Sequence, residues 1–279
     1  MYQNYFVTPE WLHANLYNPD IIVLDASSAP PTAPADCRQL WLAEHIPGAQ
    51  FFHQDEIADT QSLLPHMLPD EQTFSDAVGK MGIGPQTQVI IYDQGNLFAA
   101  PRAWWTFKTF GCHQVKILAG GLAGWKSAGF SVDSGEVSAL PAQEFTAVKQ
   151  PNSALSQADI IDIVEKANKQ IIDARSADRF QALAPEPRPG LRMGHIPGSK
   201  NVPWNLLVEN GQYKSPEQLA LIFKQQQIDI HAPSVTTCGS GMTAAVVLLG
   251  LILLGNDQVQ LYDGSWADWG QDNGLPIEQ

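Results

Sequence analysis

The chain repeats itself. Ile21-Ile22-Val23-Leu24-Asp25-Ala26 returns as Ile171-Ile172-Asp173-Ala174, and His45-Ile46-Pro47-Gly48-Ala49 returns as His195-Ile196-Pro197-Gly198-Ser199. Residues 89–93 match residues 234–238, and Gly120-Gly121 with Trp125 match Gly264-Ser265 with Trp269. Four anchors recur in the same order at an offset of roughly 145 to 150 residues, which is a domain-sized period rather than a solenoid's. A chain of 279 residues built this way must hold two similar domains, each with its own core.

Each copy predicts the same series of elements. Helical segments, such as residues 8–15, 73–80 and 216–225, alternate with short apolar runs at 21–25, 89–93, 115–118, 235–237 and 259–262. That alternation predicts an α/β fold, with a mainly parallel sheet flanked by helices in each domain. Residues 131–151 combine Gly, Pro, Ser and Ala with little periodicity and read as a linker. The expected domains are therefore 1–130 and 152–279.

The formal net charge of −13 argues against nucleic acid and anionic membrane surfaces as partners, because both select a basic footprint. The three cysteines, Cys37, Cys112 and Cys238, are too few and too odd for a disulfide framework and fit a reducing compartment. The first ten residues lack the basic flank and apolar core of a signal peptide. The longest apolar run, 244–254, is well short of the roughly 20 residues that span a bilayer. A cytoplasmic location is expected. No Cys-x-x-Cys or His-x-x-x-His spacing occurs, so no metal is expected. The loop glycines also lack dinucleotide-fingerprint spacing, so no cofactor is expected.

The stretch that carries chemistry is Val235-Thr236-Thr237-Cys238-Gly239-Ser240-Gly241-Met242-Thr243. A β-branched run ends at Cys238, and an alanine-led apolar helix comes after the small residues. In open α/β sheets that strand edge is where ligands bind. Backbone N–H groups of Gly239, Ser240 and Gly241 would form an anion-holding nest at the helix's positive end. A thiol held there ionises more easily, which makes Cys238 the expected nucleophile. In the first copy the same place holds Asp93, which cannot act as a sulfur nucleophile, so that domain is expected to be catalytically silent.

Cys-Gly-Ser-Gly-Met-Thr resembles the active-site loop of the 3-mercaptopyruvate sulfurtransferases of the rhodanese superfamily, where Val is usual at the Met242 place. The resemblance covers essentially the whole chain. It implies two tandem rhodanese-like domains, a Cys238 persulfide as intermediate, pyruvate as product, and thioredoxin or a small thiol as sulfur acceptor. It also implies that Gly239, Gly241, Met242 and Thr243 form the cradle and that Ser240 lies close to the departing sulfur. Arg179 and Arg188 match the family's substrate-binding positions. Arginine suits a substrate carboxylate because its fork donates to two oxygens at once. Arg175 and Arg192 stand nearby and are less favoured. Leu64-Pro65-His66-Met67-Leu68-Pro69 resembles the family's His-Met-Leu-Pro segment, which implies a proton-relay role for His66 with Ser240 and Asp55. His53 and Gln54, just before Asp55, depart from the family pattern. His45 and His195 recur in both copies, one of them silent, and are expected to serve the turn.

Two other activities compete. Thiosulfate sulfurtransferases usually carry Arg and Lys where this chain has Gly239 and Ser240. Cysteine phosphatases need Arg six places after the nucleophile, where this chain has Ala244. A tandem rhodanese module acting only in binding would suit Asp93 and not Cys238.

Overall fold

A computed structural model describes residues 2–151, 153–272 and 274–279. Asn152, where the second domain is expected to begin, lies outside the described residues. The described chain forms two compact units. The first comprises Met1–Thr60, Leu68–Gln150 and Asn210–Gln212, and the second Gln61–Met67, Pro151–Glu209 and Tyr213–Gln279.

The first unit holds strands β1 (Phe6–Val7), β2 (Ile21–Asp25), β3 (Gln50–Phe51), β4 (Gln88–Tyr92) and β5 (Val115–Leu118). They lie in the order β1-β5-β4-β2-β3, every neighbouring pair parallel. Helices α1 (Pro9–Asn15), α2 (Cys37–Ala43), α3 (Gln54–Ile57), α4 (Glu71–Lys80), α5 (Ala100–Thr109) and α6 (Gly121–Ser127) accompany them. Val89, Ile90, Ile91 and Tyr92 are all buried, as a central parallel strand covered on both faces requires. The core joins Ile90 and Tyr92 to Leu12, Ile46, Leu122 and Trp125.

The second unit repeats the plan with β6 (Ala154–Leu155), β7 (Gln170–Asp173), β8 (Lys200–Asn201), β11 (Ser234–Thr237) and β12 (Val259–Tyr262). Between β8 and β11 the chain forms a short ribbon of β9 (Val208–Glu209) and β10 (Gln212–Tyr213), of which Asn210–Gln212 groups with the first unit. The sheet order is β6-β12-β11-β7-β8, again parallel throughout. Its helices are α7 (Gln157–Lys166), α8 (Ala177–Phe180), α9 (Pro216–Gln225), α10 (Ala244–Leu253) and α11 (Ser265–Trp269). Ile160, Ile196, Val235, Trp266 and Trp269 centre this core, in the places that Leu12, Ile46, Ile90, Leu122 and Trp125 fill in the first. Serine opens two of these helices with reciprocal caps, Ser156 with Asp159 and Ser215 with Gln218. The duplicated sequence thus folds as two copies of one parallel α/β architecture.

The stretch read as a linker is irregular and fastened along the first unit. Asp133 pairs with His45, the Gln143 N–H donates to Gly79 O at 2.9 Å, and the Gln150 N–H donates to Thr109 O at 2.7 Å. No helix among the described residues is long and apolar enough to cross a membrane.

Candidate active site

β11 carries the loop residues to the carboxyl edge of the second sheet. Its last residue, Thr237, pairs in register with Asp173 of β7, and Cys238 is the next residue. The Cys238 N–H donates to Ser265 Oγ at 3.2 Å, and that hydroxyl donates to Tyr262 O at 2.9 Å. The Cys238 and Gly239 carbonyls accept from the N–H groups of Trp266 and Ala267, each at 2.9 Å. The loop is therefore held by the start of α11, whose Gly264-Ser265 is one of the repeated anchors. Cys238 is a free thiol, 2% exposed. Ser240, Met242 and Thr243 are buried beside it, and Gly241 takes φ +77°, a left-handed turn that glycine accepts without strain. Thr243 leads into α10, so the loop ends at the positive pole of a ten-residue buried helix.

Arg179, in the single turn α8, lies against this loop. A Cβ on Gly239 would stand 2.9 Å from Arg179 Nη2, so the glycine makes room for the guanidinium edge. Arg179 does not hang free. Its Nε and Nη2 donate as a fork to the two oxygens of Glu186, at 3.2 and 2.5 Å. Glu186 is almost fully buried and also accepts from Arg175 Nη1 at 2.7 Å. Arg175 in turn donates from Nε and Nη2 to Asp173, and from Nη2 to Gly194 O at 2.8 Å. Its guanidinium carbon lies 4.3 Å from the centre of the Trp266 ring. Burial opposes the Arg175 charge, but Asp173 and Glu186 outweigh it and hold its pKa above the ordinary value.

Arg188 is half-buried, with Nη2 3.3 Å from His66 Nε2. A guanidinium can only donate, so in this pair Nε2 is the acceptor. Both residues belong to the second unit, and His66 sits at φ +61°. Asp55 belongs to the first unit, in the single turn α3. Burial raises the pKa of Cys37, and the charges of Asp25, Asp36 and Asp55 raise it further.

A family profile described as the rhodanese-like domain matches residues 8–128 and 156–272. The chain belongs to the rhodanese family. It is 44% identical over 279 residues to the 3-mercaptopyruvate sulfurtransferase of Escherichia coli (strain K12), an alignment covering 100% of this chain and 99% of that one. It is 41% identical over 270 residues to the 3-mercaptopyruvate sulfurtransferase of Mus musculus, covering 94% and 91%. The crystal structure of the Escherichia coli 3-mercaptopyruvate sulfotransferase SseA superposes with a TM-score of 0.87 at 43% identity, covering 94% of this chain and 99% of that one.

In this rhodanese-family chain the predicted residues fall into groups. Cys238, Gly239, Ser240, Gly241, Met242 and Thr243 form one loop with Arg179 on it, and Arg188 meets His66. The two less favoured arginines do structural work: Arg175 is the buried centre of the ion-pair chain, and Arg192 donates to the carbonyls of Trp269, Gly270 and Leu275. His45 and His195 are fixed in their turns, their Nδ1 atoms 2.8 Å from Trp41 O and Phe180 O. Sequence reasoning missed Glu186. Its only signal was its place in Glu186-Pro187-Arg188-Pro189-Gly190, where an acidic residue between prolines reads as solvated. Among the described residues no group of three or more His, Cys, Asp or Glu side chains could hold a metal ion.

Proposed function

We propose that the chain moves the sulfur of 3-mercaptopyruvate to a thiol acceptor through a persulfide on Cys238. The single observation that carries the reading is Cys238 at the carboxyl edge of the sheet, at the mouth of α10, with the Arg179 guanidinium on its loop. The Cys238 thiolate attacks the substrate sulfur, and the carbon–sulfur bond breaks. Its electron pair stays on carbon as the pyruvate enolate, which takes a proton and leaves as pyruvate. The outer sulfur remains on Cys238 until an acceptor thiolate attacks it, which regenerates the Cys238 thiolate. Arg188 and Arg179 hold the substrate carboxylate. The loop of Gly239, Ser240, Gly241, Met242 and Thr243 cradles the negative sulfur. His66, Ser240 and Asp55 deliver the enolate's proton.

Residues 152–279 supply the catalytic domain and residues 1–130 a silent one. Asp93 supports that assignment, because its carboxylate accepts from the N–H groups of Gly95, Leu97, Ala99 and Ala100 and so fills its own loop. The acceptor in this reading is thioredoxin or a small thiol, and the site of action is the cytoplasm.

The test is intact mass after brief exposure to 3-mercaptopyruvate or, separately, to thiosulfate. Wild type should gain about one sulfur atom from mercaptopyruvate and release pyruvate, and Cys238→Ser should do neither. Loading from thiosulfate alone would move the assignment to the sister activity. No adduct from either donor would leave a binding module.

A further inference from the structure

We propose that Glu186 is a positioning residue for the sulfur-transfer site, holding the Arg179 guanidinium in the one orientation that serves both the Cys238 loop and a substrate carboxylate. The inference rests on the reading of the site given above and adds a residue to it. Four charges run in line from the sheet to the loop: Asp173, Arg175, Glu186 and Arg179. Asp173 ends β7, paired with the strand that delivers Cys238, so the chain begins on rigid scaffold. Arg175 is fully buried and anchored by Asp173, Gly194 O and the Trp266 face. Glu186 therefore cannot swing away, because Arg175 holds one of its oxygens. What remains for it to fix is Arg179, the only member of the line with appreciable exposure, at 22% of its side chain. Two cations and two anions leave the set neutral, which lets it be buried without a stranded charge.

The duplication shows that this line is not needed to build the sheet. The first unit makes the same turn after β2 with Ser27, whose N–H donates to Asp25 Oδ1 at 2.9 Å, in the place where the Arg175 N–H donates to Asp173 Oδ1 at 2.9 Å. The same architecture thus stands without an arginine there, and the ion-pair line occurs in the unit that carries Cys238. A fork to Glu186 consumes Nε and one edge of Arg179, which leaves Nη1 and the other edge of Nη2 for a second carboxylate. Binding oxygens on one side of a guanidinium while a fixed carboxylate holds the other orients the donors before substrate arrives.

The experiment compares Glu186→Gln, Arg179→Ala, their double variant and Arg179→Lys by KM and kcat for 3-mercaptopyruvate, with thermal melts as the fold control. Glu186→Gln should raise KM about tenfold while kcat stays within about twofold, because the orienting fork is lost and the nucleophile is not. The double variant should have the KM of Arg179→Ala, since Glu186 acts through Arg179. Arg179→Lys keeps the charge without the fork and should raise KM about as much as Arg179→Ala. An unchanged KM in Glu186→Gln, or losses that multiply in the double variant, would overturn the proposal. Should the Glu186 variants fail to fold, a near-wild-type KM in Arg179→Lys overturns it and a loss matching Arg179→Ala sustains it. Absence of any sulfur transfer from mercaptopyruvate in wild type would instead remove the underlying reading, so the two failures are distinct.

Discussion

Asp25 and Asp173 end equivalent strands, β2 and β7, and meet different neighbours. Asp173 is neutralised by Arg175, whereas the buried Asp25 has the uncharged Ser27 and Tyr92 as its partners. Burial pushes the Asp25 pKa from 3.8 to about 6, the charge of Asp93 adding to the rise and the Ser27 bonds opposing it. Below the unfolded pKa both the native and the unfolded chain carry the proton, and the site has no net effect on stability. Between the unfolded and folded values only the unfolded chain ionises, so stability is lost as pH rises, and the full cost stands above the folded value. Asp25→Asn keeps the Oδ1 acceptor and removes the charge. It should leave the Tm at pH 4 nearly unchanged and raise stability at pH 8 by about 2–3 kcal/mol. Equal gains at both pH values would mean that packing, not ionisation, sets the cost. The repeat Asp-Ala is plain in the sequence, but its two environments are not, because Ser27 and Arg175 differ in what they bring from elsewhere in the fold.

At the scale of the element, the loop from Cys238 to Thr243 uses two glycines for two separate reasons. Gly241 takes φ +77°, so a side chain there strains the backbone. Gly239 has no positive φ, but its missing Cβ is the space occupied by the Arg179 guanidinium. Gly241→Ala should therefore lower stability by about 1–3 kcal/mol. Gly239→Ala should instead raise KM several-fold, with a Tm close to wild type, because Arg179 must shift. Melts and steady-state kinetics on the two variants check the pair, and a reversed pattern would reject both accounts. The strand, loop and helix were legible to within a residue or two from β-branched and alanine-led runs: β11 ends at Thr237 and α10 spans Ala244–Leu253. The role of Glu186 was not legible. Its partners Arg175 and Arg179 lie 11 and 7 positions away, and α8 ends at Phe180, so a proline-framed loop with no regular period brings them together. The grouping of Gln61–Met67 with the second unit likewise depends on tertiary packing that no local pattern encodes.

For the whole molecule, duplication supplied two equivalent strand ends and only one of them holds a thiol. The four repeated anchors were enough to read two domains of one architecture, because strand ends, the His-Ile-Pro-Gly turn and the tryptophan helices are local features that recur. The difference in chemistry is concentrated in the loops that leave β4 and β11. After β4, the Asp93 carboxylate accepts from four backbone N–H groups and serves as the loop's own anion. After β11, Cys238 occupies that place, and the loop is backed by Arg179 and Glu186. A thiol placed at residue 93 would lose the carboxylate's charge-assisted bonds and find no guanidinium line of the kind that Arg175 begins, since Ser27 stands there. Asp93→Cys should thus lower stability by about 1.5–3 kcal/mol. Exposed to 3-mercaptopyruvate, it should still load about one sulfur atom per chain, as wild type does, because a strand-end thiol without its oriented cation is a poor nucleophile for an anionic donor. A second sulfur on residue 93 would show that the strand end alone makes the site, and that the ion-pair line from Asp173 to Arg179 is dispensable for sulfur loading.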